Sequence, residues 1–294
     1  MKKFRNIETT FKGTGFHFVG DGFKVSQYFP ANRSELMQRL SPFILLDYGA
    51  PEYFAPTDKR LGVDAHPHRG FETVTIAYSG SVEHHDNKGN HGIIGPGDVQ
   101  WMTAGAGVLH KEYHSEEFAK NGGILHMIQL WVNLPAKDKM TKPKYQPLTK
   151  DDMGIYNLEN NEGQIRIIAG EVNGVKGPAS TFSNINLYNV DLKNNGKVTL
   201  NEPSNHNTAI LVIKGEVKVN EDKNFKADDF ILFDNVDGEI KVESIGEEAT
   251  FIVLSGEPLN EPIASAGPFV MNTREEIYQA FEDYRNGEFG DLEF

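Results

Sequence analysis

Cysteine is absent from this chain of 294 residues, which excludes disulfides, thiolate metal sites and thiol nucleophiles together. No segment approaches the ~18 consecutive apolar residues of a membrane helix, and no apolar stretch follows the basic start as it does in a signal peptide. Basic residues are also scarce, because 29 Lys and Arg stand against 42 Asp and Glu for a net charge of −13. They are scattered, so no nucleic-acid footprint is visible. We expect a cytoplasmic protein that binds neither membranes nor nucleic acid directly.

The composition is that of a folded chain with two domains. Apolar residues make up 38%, and 29 glycines are added to them, which is ordinary for a globular protein. At ~150 residues per domain, the length predicts two domains. The segment 135–147 contains four lysines and three prolines and is typical of a connector. We therefore predict domains at 1–140 and 141–294.

The patterning predicts an all-β protein with two copies of one unit. Runs rich in aromatic and β-branched residues, such as 43–48 and 73–78, are separated by turn clusters at 79–81, 87–90 and 95–98. This spacing is typical of a sandwich or closed barrel. Residues 77–82 resemble 212–217, and residues 97–101 resemble 228–232, so the second half repeats the first.

The end of the chain changes to a helical period. Apolar residues recur at positions 277, 280, 281 and 284, which is the i, i+3, i+4, i+7 spacing of an amphipathic helix. Thr273 and Glu276 have the spacing of a capping box, and Gly287 is suited to a helix end. We predict a helix over residues 273–287.

Two clusters of histidines and carboxylates carry the chemistry. Alternate residues of a strand share a face, so His66 with His68, and His110 with Glu112, can each present two donors to one side. A single His-x-His pair is most simply explained as two alternate histidines on an exposed strand that bind no metal. A second pair of donors and the nearby Gly62 favour a four-donor cage instead. Such donors suit iron, manganese, nickel, copper or zinc, and open positions on the ion would permit catalysis.

These residues carry a resemblance to a known family. The two clusters resemble the two motifs of the cupin superfamily. The amino-acid sequences of five segments closely resemble those of pirin, a family with two cupin domains. These segments are HPHRGFETV (66–74), PGDVQWMTAG (96–105), LHKE (109–112), LWVNL (130–134) and GPFVMNT (267–273).

The resemblance implies a bicupin, with two antiparallel β-barrels of jelly-roll type followed by the helix. It implies one transition-metal ion in the N-terminal cupin, held by His66, His68, His110 and Glu112, and not by Glu72. Iron(II) is the expected ion, with manganese, nickel, cobalt, copper or zinc as alternatives. The sequence of the second half agrees with a metal site in the first half only. Asn201 stands at the position equivalent to His66, and the only histidine in the second half is His206.

The resemblance also implies an activity, the iron-dependent cleavage of flavonols such as quercetin by dioxygen. Glu112 would then be the catalytic base that accepts the proton of the flavonol 3-hydroxyl, although coordination to a metal lowers a carboxylate's basicity. The alternative is a non-catalytic, redox-sensitive regulatory protein that binds transcription regulators or metabolic enzymes. A different metal-dependent cupin activity is a third possibility.

The remaining candidates have weaker patterns. We expect His114 at the rim of the site and His126 as a hydrogen-bonded core residue. The histidines at positions 84, 85 and 91 flank a hairpin and are expected to be solvated, with a role at the pocket edge as the alternative for one of them. Four further residues are candidates for pocket walls and equally for the core, namely Phe54, Phe71, Trp101 and Met102.

Overall fold

The computed structural model describes residues 3–221 and 223–292. The strands up to the middle of the chain are β1 (Ile7–Phe11), β2 (His17–Val19), β3 (Phe23–Phe29), β4 (Phe43–Phe54), β5 (Gly62–His68), β6 (Phe71–Ser79), β7 (Val82–Asp86), β8 (His91–Ile94), β9 (Val99–Thr103), β10 (Val108–His114), β11 (Gly123–Asn133) and β12 (Lys144–Leu148). The later strands are β13 (Gly154–Asn157), β14 (Gly163–Ala169), β15 (Glu171–Val172), β16 (Val175–Lys176), β17 (Ile185–Leu192), β18 (Lys197–Leu200), β19 (Asn207–Lys214), β20 (Glu216–Val219), β21 (Lys223–Lys226), β22 (Phe230–Phe233), β23 (Ile240–Ser244), β24 (Ala249–Gly256), β25 (Ala264–Ala266) and β26 (Phe269–Met271). The helices are α1 (Glu35–Arg39), α2 (Glu116–Asn121) and α3 (Arg274–Arg285), with 3-10 turns at Ala136–Asp138 and Glu159–Asn161.

The chain forms two compact units. The first unit comprises residues 14–38, 42–150 and 259–294, and the second comprises residues 1–13, 39–41 and 151–258. Both are built of antiparallel sheets, which confirms the predicted all-β bicupin fold. Among the described residues, no helix combines the length and the apolar character needed to cross a bilayer.

The first unit has a large and a small sheet. The large sheet has the order β12-β9-β6-β11-β4-β3-β2, and the small sheet has the order β5-β10-β7-β8. Side chains from both sheets, among them Val25, Met127, Val82 and Ile94, form a shared apolar cluster. The central strand β6 is buried along most of its length, which agrees with its β-branched and aromatic sequence.

The second unit repeats this plan. Its large sheet has the order β1-β22-β19-β24-β17-β14-β13 and its small sheet has the order β18-β23-β20-β21. A core of branched and aromatic side chains from both sheets packs between them, including Ile210, Phe251, Val217 and Val242.

The predicted repeat extends to single hydrogen bonds. Gly80 and Gly215 both have positive φ, 76° and 78°, at the turns that follow β6 and β19. In the first unit the amide of Gly97 donates to the carbonyl of Ala77 over 2.8 Å, and in the second unit that of Asp228 donates to Val212 over 2.9 Å. The resembling segments therefore occupy equivalent places in two copies of one β-unit.

A division of the chain at residue 140 assigns its first segment to the first unit and its last segment to the second, but the structure has each in the other unit. Strand β1 pairs with β22 of the second unit, because its residues 7–11 complete the edge of that sheet. Residues 259–294 belong to the first unit. The expected connector also contributes strand β12, which pairs with β9, so the first unit continues to Lys150.

The predicted C-terminal helix is present as α3. Thr273 is its N-cap, and the Thr273 hydroxyl and the Glu276 carboxylate complete the capping box in both directions. Gly287 lies just beyond its end with a φ of 77°. Ile277 and Ala280 are buried in an apolar cluster with Phe269, so the helix covers part of the first unit.

Candidate metal centre

The predicted ligands lie on two neighbouring strands of the small sheet. Strands β5 and β10 pair antiparallel with His110 directly opposite His66, and a β-bulge then brings Glu112 opposite Val63. Opposed residues of an antiparallel pair share a face, so the side chains of both strands meet on one side of the sheet.

Three histidines converge closely. The ring centroids of His66 and His110 are 4.2 Å apart, those of His66 and His68 are 4.8 Å apart, and those of His68 and His110 are 4.9 Å apart. One donor nitrogen from each ring lies within 4.8 Å of the others, which is a spacing that a single ion can bridge. Glu112 belongs to a second such group with His110 and His84, so it adjoins the three histidines on the side of His110.

Backbone carbonyls orient two of the rings. His66 Nδ1 lies 2.8 Å from the carbonyl oxygen of Asp64, and His68 Nδ1 lies 3.4 Å from that of Pro268. A carbonyl only accepts, so each Nδ1 carries the proton and each Nε2 keeps its lone pair. The Nε2 atoms of His66 and His68 are therefore the available metal ligands.

A buried histidine orients the third ring, and sequence reasoning missed it. His84, expected to be solvated, is fully buried and donates from Nε2 to Asp86 Oδ2 over 3.2 Å. Its Nδ1 is then the acceptor for His110 Nδ1–H, 3.4 Å away. Asp86 is itself fixed by the amides of Lys88 and Asn90. This chain from Asp86 through His84 leaves His110 Nε2 free to bind an ion.

The histidines fit a metal ion by two observations. His110 Nε2 is buried and has no hydrogen-bond partner among the described residues, although a buried polar atom without a partner is costly. Burial lowers the pKa of His68 and His110 well below the usual value, and the neighbouring imidazoles lower it further. Both rings are thus neutral at neutral pH, which is the form that binds metals.

One side chain of the large sheet holds the carboxylate of Glu112. Gln100 Nε2 donates to Glu112 Oε1 over 2.9 Å. Thr75, directly opposite Gln100 on the neighbouring strand β6, lies 3.4 Å from the same oxygen through Oγ1, but its hydroxyl hydrogen is directed to Gln129 Oε1 at 2.7 Å. Gln100 therefore restrains the carboxylate through Oε1 and leaves Oε2 outside this bond.

A cavity of about 310 Å³ opens beside these residues. His66, His68, Glu112, Asp47 and Gln129 supply its polar lining. Its other walls are apolar and consist of Val19, Phe23, Val25, Val63, Val82, Met127 and Trp131. The volume is at the lower end of the range for small-molecule sites, and its mostly apolar lining suits an aromatic ligand.

The other predicted residues have different places. Phe71 stacks on Trp131, and Phe71, Trp101 and Met102 are buried in the core. Phe54 is half-buried and contacts the ring of His114. None of the four lines the described cavity.

Four further histidines can be compared with expectation. His114, expected at the rim, is buried among phenylalanine rings and contacts the carbonyl of Gly22 over 2.7 Å. His126 hydrogen-bonds to the hydroxyl of Tyr48, as predicted for a partnered histidine. His85 and His91 lie on the outer side of the hairpin beside Glu83, as expected for solvated residues.

Glu72 and the second unit show no link to this centre. Glu72 is separated from Thr75 by three positions of one strand, so its side chain points to the opposite face of the sheet. It accepts a hydrogen bond from Thr103 over 2.7 Å, and burial raises its pKa to about 7. In the second unit, His206 Nδ1 hydrogen-bonds with Ser255 over 3.1 Å.

Comparison with known proteins places this geometry in a family. The chain matches the pirin family over residues 22–132 and the pirin C-terminal cupin domain over residues 187–290. A Pseudomonas aeruginosa protein with the provisional name quercetin 2,3-dioxygenase PA2418 is 50% identical, over 93% of this chain and 94% of that protein. Pirin-1 of Arabidopsis thaliana is 37% identical, over 85% of this chain and 84% of the relative.

Solved structures agree with these sequence matches. The crystal structure of a quercetin 2,3-dioxygenase from Acinetobacter baumannii is 46% identical, with a TM-score of 0.93 over 99% of this chain and 100% of that chain. This extent of similarity covers both units of the chain. The chain belongs to the pirin family.

Proposed function

We propose that this protein is an iron-dependent dioxygenase that cleaves flavonols such as quercetin. One observation carries the proposal: His66, His68 and His110 bring three imidazole nitrogens within reach of one ion, and His66, His68 and Glu112 line an apolar cavity sized for a small aromatic molecule. The names of the similar proteins from Pseudomonas aeruginosa and Acinetobacter baumannii support the same activity.

In this proposal His66, His68 and His110 would hold the ion through Nε2, and Glu112 would complete the set. When bound, the ion supplies Lewis acidity toward the flavonol oxygens and a path for electrons between flavonol and dioxygen. The reaction incorporates dioxygen and releases carbon monoxide. The protein's own task is to place the flavonol, take its proton and keep out water.

Glu112 is the proposed base for the flavonol 3-hydroxyl. Its Oε1 is occupied by Gln100, so Oε2 is the oxygen that would receive the proton. Coordination lowers a carboxylate's basicity, so Glu112 would act as a base only with Oε2 free of the ion, and the hydrogen bond from Gln100 to Oε1 would keep the side chain in place. Gln100 is in this way a positioning residue for the base.

The apolar walls would exclude water from the reacting face of the flavonol. Phe23, Val25 and Met127 line the cavity and offer no hydrogen-bonding groups. A dry site strengthens the attraction between the deprotonated flavonol and the cation, since both lie in a low dielectric.

The test begins with metal analysis of the full chain purified without added metal, followed by loading with iron(II). We expect about one ion per chain, with oxygen uptake and carbon monoxide release on addition of quercetin. Full iron content without oxygen uptake would contradict the dioxygenase proposal. A non-catalytic regulatory role or another substrate would then have to be considered.

Glu112 and Glu72 provide a matched pair of buried carboxylates for the ligand assignment. We expect Glu112→Ala to weaken iron binding by more than the roughly 10–100-fold typical of outer-shell changes, and to abolish turnover. Glu72→Ala should retain most of the iron, because its carboxylate is bound to Thr103 on the other face of the sheet. Plasma mass spectrometry measures the iron content of the two desalted variants. More iron in Glu112→Ala than in Glu72→Ala would refute the ligand set.

A further inference from the structure

A second group of potential metal ligands lies on the outer face of the small sheet. Strand β7 alternates buried and partly exposed residues, so Glu83 and His85 share the outer face, whereas the buried His84 points inward. His91 of β8 is paired directly opposite His85 and therefore shares its face. One hairpin thus brings Glu83, His85 and His91 together, and we call these three residues the outer cluster.

The donor atoms of the outer cluster converge on one point. His85 Nε2 lies 2.6 Å from Glu83 Oε1, and His91 Nε2 lies 3.3 Å from the same oxygen. The two imidazole centroids are 4.2 Å apart, and the three donor atoms all lie within 4.8 Å of one another. Ligands held about 2.0–2.2 Å from a tetrahedral zinc ion are roughly 3.3–3.6 Å apart. Small side-chain rotations would therefore place all three donors on one ion.

The turn of the hairpin holds the two histidine-bearing strands in place before any ion binds. Asp86, at the end of β7, accepts hydrogen bonds from the amides of Lys88 and Asn90 over 2.9 and 3.0 Å. The side chain of Asn90 donates to the same carboxylate over 2.8 Å. Because these bonds fix the turn, little backbone ordering is needed to bring His85 and His91 to an ion, which favours binding.

The outer cluster is accessible from solvent. The side chains of His91 and His85 are 53% and 32% exposed, and that of Glu83 is 13% exposed. A zinc ion can reach the three donors without rearrangement of the sheet, and a water molecule would complete its coordination.

Arg60 is the group that an ion would displace. Its Nη2 lies 3.0 Å from Glu83 Oε1 and 3.4 Å from His85 Nε2, and its guanidinium lies over the ring of Tyr113. The Arg60 side chain is 49% exposed, and a surface ion pair of this kind contributes little free energy, so it can turn into solvent at small cost. Lys111, opposite His85 on β10, adds a second positive charge that weakens binding without blocking the donors.

We propose that the outer cluster is a second, exchangeable metal site that binds zinc through Glu83 Oε1 and the Nε2 atoms of His85 and His91. Two imidazoles and one carboxylate are a donor set that zinc uses with water in the fourth position. The site is weaker than the metal centre because it has one histidine fewer and two cations beside it. It does not depend on the proposed dioxygenase activity.

Zinc titration of the full chain, against a chelator that reports free zinc, tests the proposal. We expect about two ions per chain in two affinity classes, because the metal centre also takes zinc. His85→Ala and His91→Ala should each weaken the second class by more than ~10-fold, since a ligand is lost, and leave the first class unchanged. His110→Ala removes a proposed ligand of the metal centre, so it should weaken the first class and retain the second.

Two further variants sharpen the assignment. Arg60→Gln removes the competing guanidinium, so it should tighten the second class by roughly two- to fivefold, and added salt should reduce this difference. His17→Ala removes an exposed histidine of β2 outside the outer cluster and should change neither class. Nuclear magnetic resonance of the histidine rings in the unaltered chain should show His85 and His91 responding together at the second equivalent of zinc.

The outcomes are distinct. Loss of the second class in His85→Ala and His91→Ala, with its retention in His17→Ala and His110→Ala, supports the proposal. Retention of the second class in both cluster variants would place that ion elsewhere and overturn the proposal. A chain that binds zinc only at the metal centre would overturn it too, and either result leaves the proposed dioxygenase function standing.

Discussion

Asp47 has an energetic consequence for the folded protein. Its side chain is only 8% exposed, and its carboxylate receives a hydrogen bond from Gln27. Removal from water disfavours the charged form, so the folded state binds a proton at Asp47 more tightly than the unfolded chain does. The stability of the first unit should therefore depend on pH through this residue.

The sign follows from the pKa, which burial raises from 3.8 to about 6. A raised pKa makes Asp47 most favourable to folding below pH 4, and this contribution is lost as the pH rises through 6. Asp47→Asn removes the charge, so we expect it to stabilise the metal-free protein by roughly 2–3 kcal/mol at pH 7 and hardly at all at pH 4. Thermal unfolding of both proteins at the two pH values measures this, and an equal difference at both would contradict it.

Single residues also show what sequence reasoning can and cannot reach. The ligand candidates followed from strand parity, because His66, His68, His110 and Glu112 alternate along their strands. His84 and His85 are consecutive in strand β7, so they point to opposite faces of the sheet, and nothing local shows which of the two points inward. The pairing of β7 with β10 places His84 opposite Glu112, and this contact between distant segments decides which of the two faces inward.

At the scale of elements, the C-terminal segment helps to shape the metal centre. The carbonyl of Pro268 contacts His68 Nδ1, and the neighbouring Arg69 donates to Asp283 of α3 over 2.6 Å. Arg69 also donates to the carbonyl of Ala106, and its side chain is only 6% exposed. The helix is thus joined by a mostly buried ion pair to the strand end that carries a proposed ligand.

Asp283→Asn tests this connection. Removing one partner leaves the Arg69 guanidinium buried without its counter-charge, so we expect a loss of about 2–4 kcal/mol in stability. Hydrogen exchange should rise in α3, and iron should dissociate faster because the segment that orients His68 is loosened. Glu282→Gln is the matched control, since Glu282 pairs with Arg285 on the exposed side of the same helix. Equal effects of the two variants would show that the Arg69–Asp283 pair has no special role.

Elements formed by local sequence were the predictable part of the fold. The capping box at Thr273 and the glycine turns at positions 80 and 215 each depend on a few neighbouring residues, and all are present as predicted. Strands β1 and β12 were not predicted. Their sequences are polar or proline-containing, and they become strands because β22 and β9 offer free edges to pair with.

At the scale of the whole molecule, the chain starts in the second unit and ends in the first. More than 200 residues separate Arg5 from Thr208, yet Arg5 Nη1 donates to the Thr208 hydroxyl over 2.9 Å. No local sequence pattern indicates a contact between residues so far apart. The predicted division into two consecutive domains therefore assigned the terminal segments to other units than the structure does. The proposed metal ligands and their hydrogen-bond partners all lie in the first unit.

This arrangement predicts that the second unit can be weakened without loss of the metal. Arg5 is fully buried and also donates to the carbonyl of Glu202 over 2.5 Å. Arg5→Met keeps the apolar stem but removes both hydrogen bonds and leaves the Glu202 carbonyl without this donor, so we expect a loss of about 2–4 kcal/mol in the unfolding free energy of the second unit. Iron content per chain should stay unchanged. Lys12→Met, which removes an exposed partner of Asp229, should alter neither quantity. Loss of iron in Arg5→Met at a temperature where the first unit remains folded would show that the metal centre depends on the second unit as well.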